Sequence, residues 1–417
     1  MATILGIEST AHTFGIGVVE NGKVLSNVKD SYTTEKGGII PTDAAEHHKK
    51  VAHELYLKVL QNADIKEKDI NAIAFSIGPG LAPCLLEGIK FAKEISRRLR
   101  KPLVPVNHCI AHLEIGKITG AKDPVLLYVS GANTQIIAYA SGKYRIFGET
   151  LDLGVGNFID TFARYAGIGF PGGAKIQELA EKSSKNYIEL PYSVKGMDIA
   201  LSGILTNLKQ KLEKINLHSP KARELIATNP PSAGFSDKSL LMGKKNSGKI
   251  KPSSIENNNN LTYEDNQIYV NNSKKSRTNV NERFGEGEIK IINNQARSRA
   301  ERVYTLPDLA FSMQETVFAM LVETAERALA HTGKNELLLG GGVCCNKRLQ
   351  EMCRIMCEER GAKFFVPENQ YLIDNGAMIA FLGEIMFSKD IKFQGKEIDK
   401  LDILPRQRTD DVDVRWR

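Results

Sequence analysis

Apolar and polar positions fall into two stretches that repeat one order of patterns. In the first, Ile4-Leu5-Gly6-Ile7 reads as a buried strand and residues 8–13 as a polar connection. Residues 14–19 read as a second strand and Asn21-Gly22-Lys23 as a hairpin turn. The second stretch opens alike, with Val125-Leu126-Leu127-Tyr128-Val129, the polar turn 130–134, a strand at 135–139 and the turn Ser141-Gly142-Lys143. After each hairpin, helical and strand periods alternate. The first stretch predicts a helix over 41–62, a buried strand over 71–77, a helix over 85–98 and a strand over 103–106. The second predicts helices over 158–165, 176–182 and 306–331, a strand over 336–340, a helix over 346–359, a strand over 363–366 and a helix over 375–387. Two hairpin-led α/β lobes imply a cleft between them, with the polar turn after each first strand facing it.

The periodicity lapses over 217–302, which holds Asn257-Asn258-Asn259-Asn260, Asn271-Asn272 and the basic run Ser273-Lys274-Lys275-Ser276-Arg277. With so few recurring apolar positions, burial does not offset the entropy of ordering, and a mostly flexible insertion is expected. It carries 15 Lys and Arg against 9 Asp and Glu, most of the formal net charge of +7, so the rest of the chain is nearly neutral. Bulk charge therefore does not identify a ligand of the folded part. The expected organisation is a first lobe at 1–122, a second at 123–388 interrupted by the insertion, and a C-terminal segment at 389–417. No run approaches the roughly 18 apolar residues of a spanning helix, and the start of the chain has no basic n-region, so no membrane is expected. Six cysteines without a CxxC pair fit neither a zinc ribbon nor a disulfide framework and suggest a reducing cytosol.

His108 and His112 are four apart where Asn107 could cap a helix, which puts both imidazoles on one face and suits a metal ion. Such pairs also occur as plain surface or core histidines. Cys109, Ile110 and Ala111 between them lack the glutamate of a His-Glu-x-x-His protease. The small-residue turn after Tyr128 suits a phosphate or carbonyl held by backbone amides, with a simple hairpin loop as the alternative. Asp374 reads as the N-cap of the helix opened by Asn375-Gly376-Ala377.

Together, Glu8-Ser9-Thr10-Ala11, Gly78-Pro79-Gly80, His108-Cys109-Ile110-Ala111-His112, Tyr128-Val129-Ser130-Gly131-Ala132-Asn133, Met197-Asp198-Ile199-Ala200-Leu201-Ser202-Gly203 and Asp374-Asn375-Gly376-Ala377 resemble the catalytic-subunit family of the KEOPS complex. The resemblance covers nearly all of the chain outside the insertion. It implies an α/β fold of the duplicated, two-lobed actin-like (ASKHA) type with an inter-lobe cleft. The implied activity is transfer of a threonylcarbamoyl group from threonylcarbamoyl-AMP to N6 of the adenosine 3′ of the anticodon, in tRNAs reading codons that begin with A.

The resemblance also implies one divalent metal ion, Fe2+ or Zn2+, held by His108, His112 and Asp374, with Tyr128 as a weaker or outer ligand. Tyr128, Val129, Ser130, Gly131 and Ala132 match substrate contacts, and Asp160, Gly173, Gln177 and Asn346 match nucleotide contacts, with ATP as a further nucleotide. Gln177 stands where the family has an acidic residue for ribose hydroxyls, and Ala132 where it has a second glycine. Glu8 and His12 lie in the loop facing the phosphates and are the candidates for an otherwise unassigned general base. The implied partners are tRNA and the kinase-like ATPase, dimerising and regulatory subunits of the complex. Arg408-Thr409-Asp410 and Trp416 resemble the archaeal or eukaryotic branch, which implies a cytoplasmic location, extended to the nucleus in a eukaryote. The competing readings are an ATPase or kinase of the same fold and a catalytically silent scaffold. Histidine ligands argue against the ATPase, because hard Mg2+ prefers carboxylates, water and phosphates.

Overall fold

The computed structural model describes residues 2–34, 38–217 and 304–417; apart from Leu217, the expected insertion lies outside them. In the first lobe, β1 (Thr3–Glu8) pairs antiparallel with β2 (Thr13–Glu20), which pairs with β3 (Lys23–Ser31). On its other side β1 runs parallel to β4 (Ala72–Gly78), which pairs with β5 (Leu103–Asn107), so the order is β3-β2-β1-β4-β5. Helices α1 (Pro41–Ala63) and α2 (Ala82–Leu99) cover one face, where Leu5, Ile7, Phe14 and Ile16 meet Val59, Ile89 and Phe91. Every residue of β1 and β4 is buried, as in central strands covered on both faces. Helix α3 (His108–Ile115) follows β5 directly.

The second lobe repeats this order. Strands β6 (Val125–Val129), β7 (Thr134–Ala140) and β8 (Lys143–Glu149) form the meander. Then come α4 (Val155–Tyr165), α5 (Gly173–Glu181), the short ribbon β9 (Val194–Lys195) and β10 (Asp198–Ile199), α6 (Ser202–Leu217) and α7 (Leu306–Thr332). Strand β11 (Glu336–Gly340), helix α8 (Lys347–Arg360) and β12 (Lys363–Phe365) complete the sheet β12-β11-β6-β7-β8. Read from the meander, both sheets run third, second, first, fourth, fifth strand, the duplicated actin-like α/β architecture that the resemblance implies.

Helix α9 (Gly376–Ser388) departs from the expected lobe assignment. Placed by sequence order in the second lobe, it packs on β1, β2 and β4 of the first sheet. A Cβ on Gly17 would collide with the backbone of Ala377, so this helix rests on the strands at a distance only glycine permits. The C-terminal segment then runs over both lobes. Phe393 pairs with Leu103, Leu404 N donates to Ile77 O at 2.7 Å, and Thr409 Oγ1 donates to Gln135 Oε1 at 3.3 Å. Among the described residues no helix is long and apolar enough to cross a membrane, and all six cysteines are free.

Candidate metal centre and substrate cleft

Asn107 caps α3, its Oδ1 accepting from Ile110 N at 3.1 Å, and every residue of this short helix is buried. One turn apart, His108 and His112 present their Nε2 atoms to the same carboxylate oxygen, Asp374 Oδ1, each at 3.4 Å. Tyr128 OH, at the end of β6, lies 3.0 Å from His108 Nε2. Asp374 is free to point this way because Asn375 is the N-cap of α9, accepting from Met378 N at 2.9 Å; the N-cap reading of Asp374 is therefore corrected. One ligand atom from each of His108, His112 and Asp374 lies within 4.8 Å of the others. Two imidazole nitrogens and one carboxylate oxygen converging this closely form a donor set that fits zinc or iron.

Glu8, the last residue of β1, is fully buried. Its Oε1 accepts from Thr10 N at 2.7 Å and Thr10 Oγ1 at 2.5 Å, and its Oε2 lies 3.0 Å from His108 Nδ1. With both oxygens engaged, Glu8 orients His108 and is not placed as the substrate-facing base. A proton on Nδ1 shared with Glu8 leaves Nε2 as the ligating nitrogen. Thr10, which no sequence argument singled out, completes this hold. His112 Nδ1, by contrast, is buried without a partner among the described residues.

Burial alone would lower the His108 pKa, but Glu8 and then Asp374 outweigh it and raise it to about 9. Burial, with His108 beside it, pushes the His112 pKa down against the Asp374 hydrogen bond. Burial would also raise Asp374, yet the two histidines hold its carboxyl well below the usual range. The Tyr128 hydroxyl is pushed up by burial and stays protonated. A divalent ion entering the metal-free site must therefore displace a proton from His108. Zinc affinity should rise about tenfold per pH unit from pH 7 to 9 and level off above. The folded pKa exceeds the unfolded value of about 6.5. His108 thus contributes stability to metal-free protein that is fully present below that value and lost as the pH rises through 9. Zinc titrations and metal-free melting curves from pH 6 to 10 check both statements; a zinc affinity flat between pH 7 and 9 would refute the first.

The turn after Tyr128 lies against the start of α4. Ser130 O and Gly131 O accept from Gly156 N at 3.0 Å and Asn157 N at 2.9 Å, and Ser130 Oγ donates to Asn133 O at 2.9 Å. The amides of Gly131 and Ala132 have no hydrogen-bond partner among the described residues. Ala132 is not in the left-handed region, so its side chain is tolerated where the resemblance puts glycine. Val129 O is approached so closely by Gly341, at φ 91°, that a Cβ there would collide with it.

Asp160 Oδ1 accepts from Gly172 N at 2.8 Å, and burial raises its pKa. Gly173 opens α5 with empty space where a Cβ would stand. Gln177 donates to Glu181 Oε1 at 2.9 Å within α5, and Asn346 caps α8 while its Nδ2 donates to Gln314 Oε1 at 2.9 Å. Both amides already have protein partners. His12 is partly exposed, its ring 5.5 Å edge-on to Phe170.

The family model described as tRNA N6-adenosine threonylcarbamoyltransferase (TsaD) matches residues 23–381. Over 412 residues the chain is 44% identical to the tRNA N6-adenosine threonylcarbamoyltransferase of Thermococcus sibiricus, with 99% of each covered. The chain belongs to this family. A probable tRNA N6-adenosine threonylcarbamoyltransferase of Drosophila melanogaster is 41% identical over 421 residues, covering 100% of this chain and 99% of that one. A probable bifunctional tRNA threonylcarbamoyladenosine biosynthesis protein of Methanothermobacter thermautotrophicus is 41% identical over 415 residues, covering 99% of this chain but 60% of that protein. As a member of the tRNA N6-adenosine threonylcarbamoyltransferase family, the chain is a transferase that modifies tRNA, and the kinase and silent-scaffold readings give way.

Proposed function

We propose that this transferase moves the threonylcarbamoyl group of threonylcarbamoyl-AMP to N6 of the adenosine 3′ of the anticodon, in tRNAs reading codons that begin with A, as the catalytic subunit of a KEOPS assembly. The observation that carries the reading is the convergence of His108, His112, Asp374 and Tyr128 beside a turn whose exposed Gly131 and Ala132 amides have no partner among the described residues. In the transfer the N6 nitrogen bonds to the carbamoyl carbon, the bond from that carbon to the phosphate oxygen breaks, AMP leaves, and N6 gives up one proton. Because the donor is already a mixed anhydride, positioning and charge neutralisation supply much of the rate.

The Gly131 and Ala132 amides take a donor oxygen, and Asp160 with the open start of α5 at Gly173 takes the nucleotide. His12, in the connection after β1, is the remaining base candidate, since Glu8 is committed to His108. One Fe2+ or Zn2+ ion on His108, His112 and Asp374, with Tyr128 alongside, supplies Lewis acidity and a template when bound. The transferase works in the cytoplasm with kinase-like, dimerising and regulatory subunits; the bifunctional name of one relative supports a second biosynthetic function working alongside this chain. The test combines elemental analysis with tRNA modification from synthetic threonylcarbamoyl-AMP, with and without those subunits. One metal ion per chain and donor-dependent transfer are expected. Turnover of ATP in place of the donor would overturn the reading.

A further inference from the structure

Lys29 stands on β3 opposite Gly15 of β2, on the same face as Asn27, whose Oδ1 accepts from Ala377 N at 3.3 Å. That face is turned to the start of α9, where Asp374 stands. The Lys29 ammonium is buried and makes no hydrogen bond to any described residue. Burial lowers its pKa, and Asp374 acts against that shift. Cys345 ends the single turn Gly342–Cys345 of the second lobe, which leads into Asn346 and lies beside β6. Lys29 therefore lies on the face of β3 that meets the start of α9, where Gly15, its partner on β2, packs against the backbone of Asn375 and Gly376.

Neither facing group satisfies it. Asp374 Oδ1 is directed at two imidazoles and makes no ion pair with Lys29, and burial keeps the Cys345 thiol protonated. A lysine normally buries its stem and carries its charge out to water. A head group that is instead buried and unpaired is costly, and calls for a partner that binds in the cleft.

We propose that Lys29 Nζ is an anion-binding group of the substrate site, taking an anionic oxygen of the acyl-adenylate donor, either its phosphate or its threonyl carboxylate. The inference rests on the donor reading above. The ammonium forms a charge-assisted hydrogen bond to that oxygen from the lobe opposite the Gly131 and Ala132 amides, so the donor is gripped from both sides.

The test uses full-length protein loaded with one equivalent of zinc, and calorimetry with two probes. AMP carries only the phosphate, and N-carbamoyl-L-threonine only the carboxylate. Lys29→Met, of similar shape without charge, should bind one probe at least about tenfold more weakly. Lys29→Arg should recover most of that loss, while zinc content stays at the wild-type level and the melting temperature of Lys29→Met stays level or rises. A loss with AMP assigns the phosphate, and a loss with N-carbamoyl-L-threonine the carboxylate. Unchanged affinity of Lys29→Met for both probes overturns the role of Lys29 and leaves the donor reading standing. A wild-type protein that binds neither probe overturns both.

Discussion

The His108→Ala, His112→Ala double variant should lose bound metal and reduce transfer by at least about a thousandfold, the several kcal/mol that a Lewis-acid template contributes. Two of the three converging ligand atoms disappear, and Asp374 with Tyr128 alone is a poor donor set. The fold should persist at reduced stability. Deleting His108 strands the buried Glu8 carboxylate, and breaking a buried pair from one side costs about 3–5 kcal/mol. His112→Ala alone avoids that penalty, because Glu8 keeps its partner, and it should still lose the metal. Circular dichroism, elemental analysis and transfer would be followed together on both variants. Metal-free His112→Ala protein with full transfer would sink the metal assignment.

Glu8→Gln should weaken metal binding by about 10- to 100-fold, the usual effect of losing the group that orients a ligating histidine. The amide has one acceptor where the carboxylate has two, and three donors face it: Thr10 N, Thr10 Oγ1 and His108 Nδ1. If the amide nitrogen faces His108, the ring proton is driven to Nε2, the atom needed for the metal. If it faces Thr10, two donors confront each other and the connection after β1 shifts. Either way the His108 pKa should fall, since Glu8 is the first of the two charges that raise it. Chelator competition and NMR titration of the imidazole would measure both effects. A variant with wild-type zinc affinity would show that Glu8 does not orient the ligand.

How much was legible depends on whether a feature is local. The strands at β1, β2, β6 and β7 and the Asn107 cap were readable because a strand's period of two, a hairpin's turn residues and a cap each lie within a few residues. Helix α6 was missed although Leu201, Ile204, Leu208 and Leu212 are buried at helical spacing, since its many polar residues lead straight into the insertion. The His108 and His112 pair was visible on one helix face, but whether it was a ligand pair or core filler was not.

The amino-acid sequence by itself determined the duplicated α/β pattern, the helix bearing both histidines and, through its ordered motifs, the family. Only the tertiary structure decided that α9 docks on the first sheet, that Asn375 rather than Asp374 caps it, that Glu8 holds His108, and that the Lys29 ammonium is buried without a partner among the described residues. The reason is chain separation. Glu8 and His108 are 100 residues apart, His112 and Asp374 262, and Asn27 and Ala377 350. Contacts at such distances leave no period in the sequence, because they arise when two separately patterned sheets and one glycine-docked helix pack together and bring side chains of unrelated local context into one buried, low-dielectric cleft.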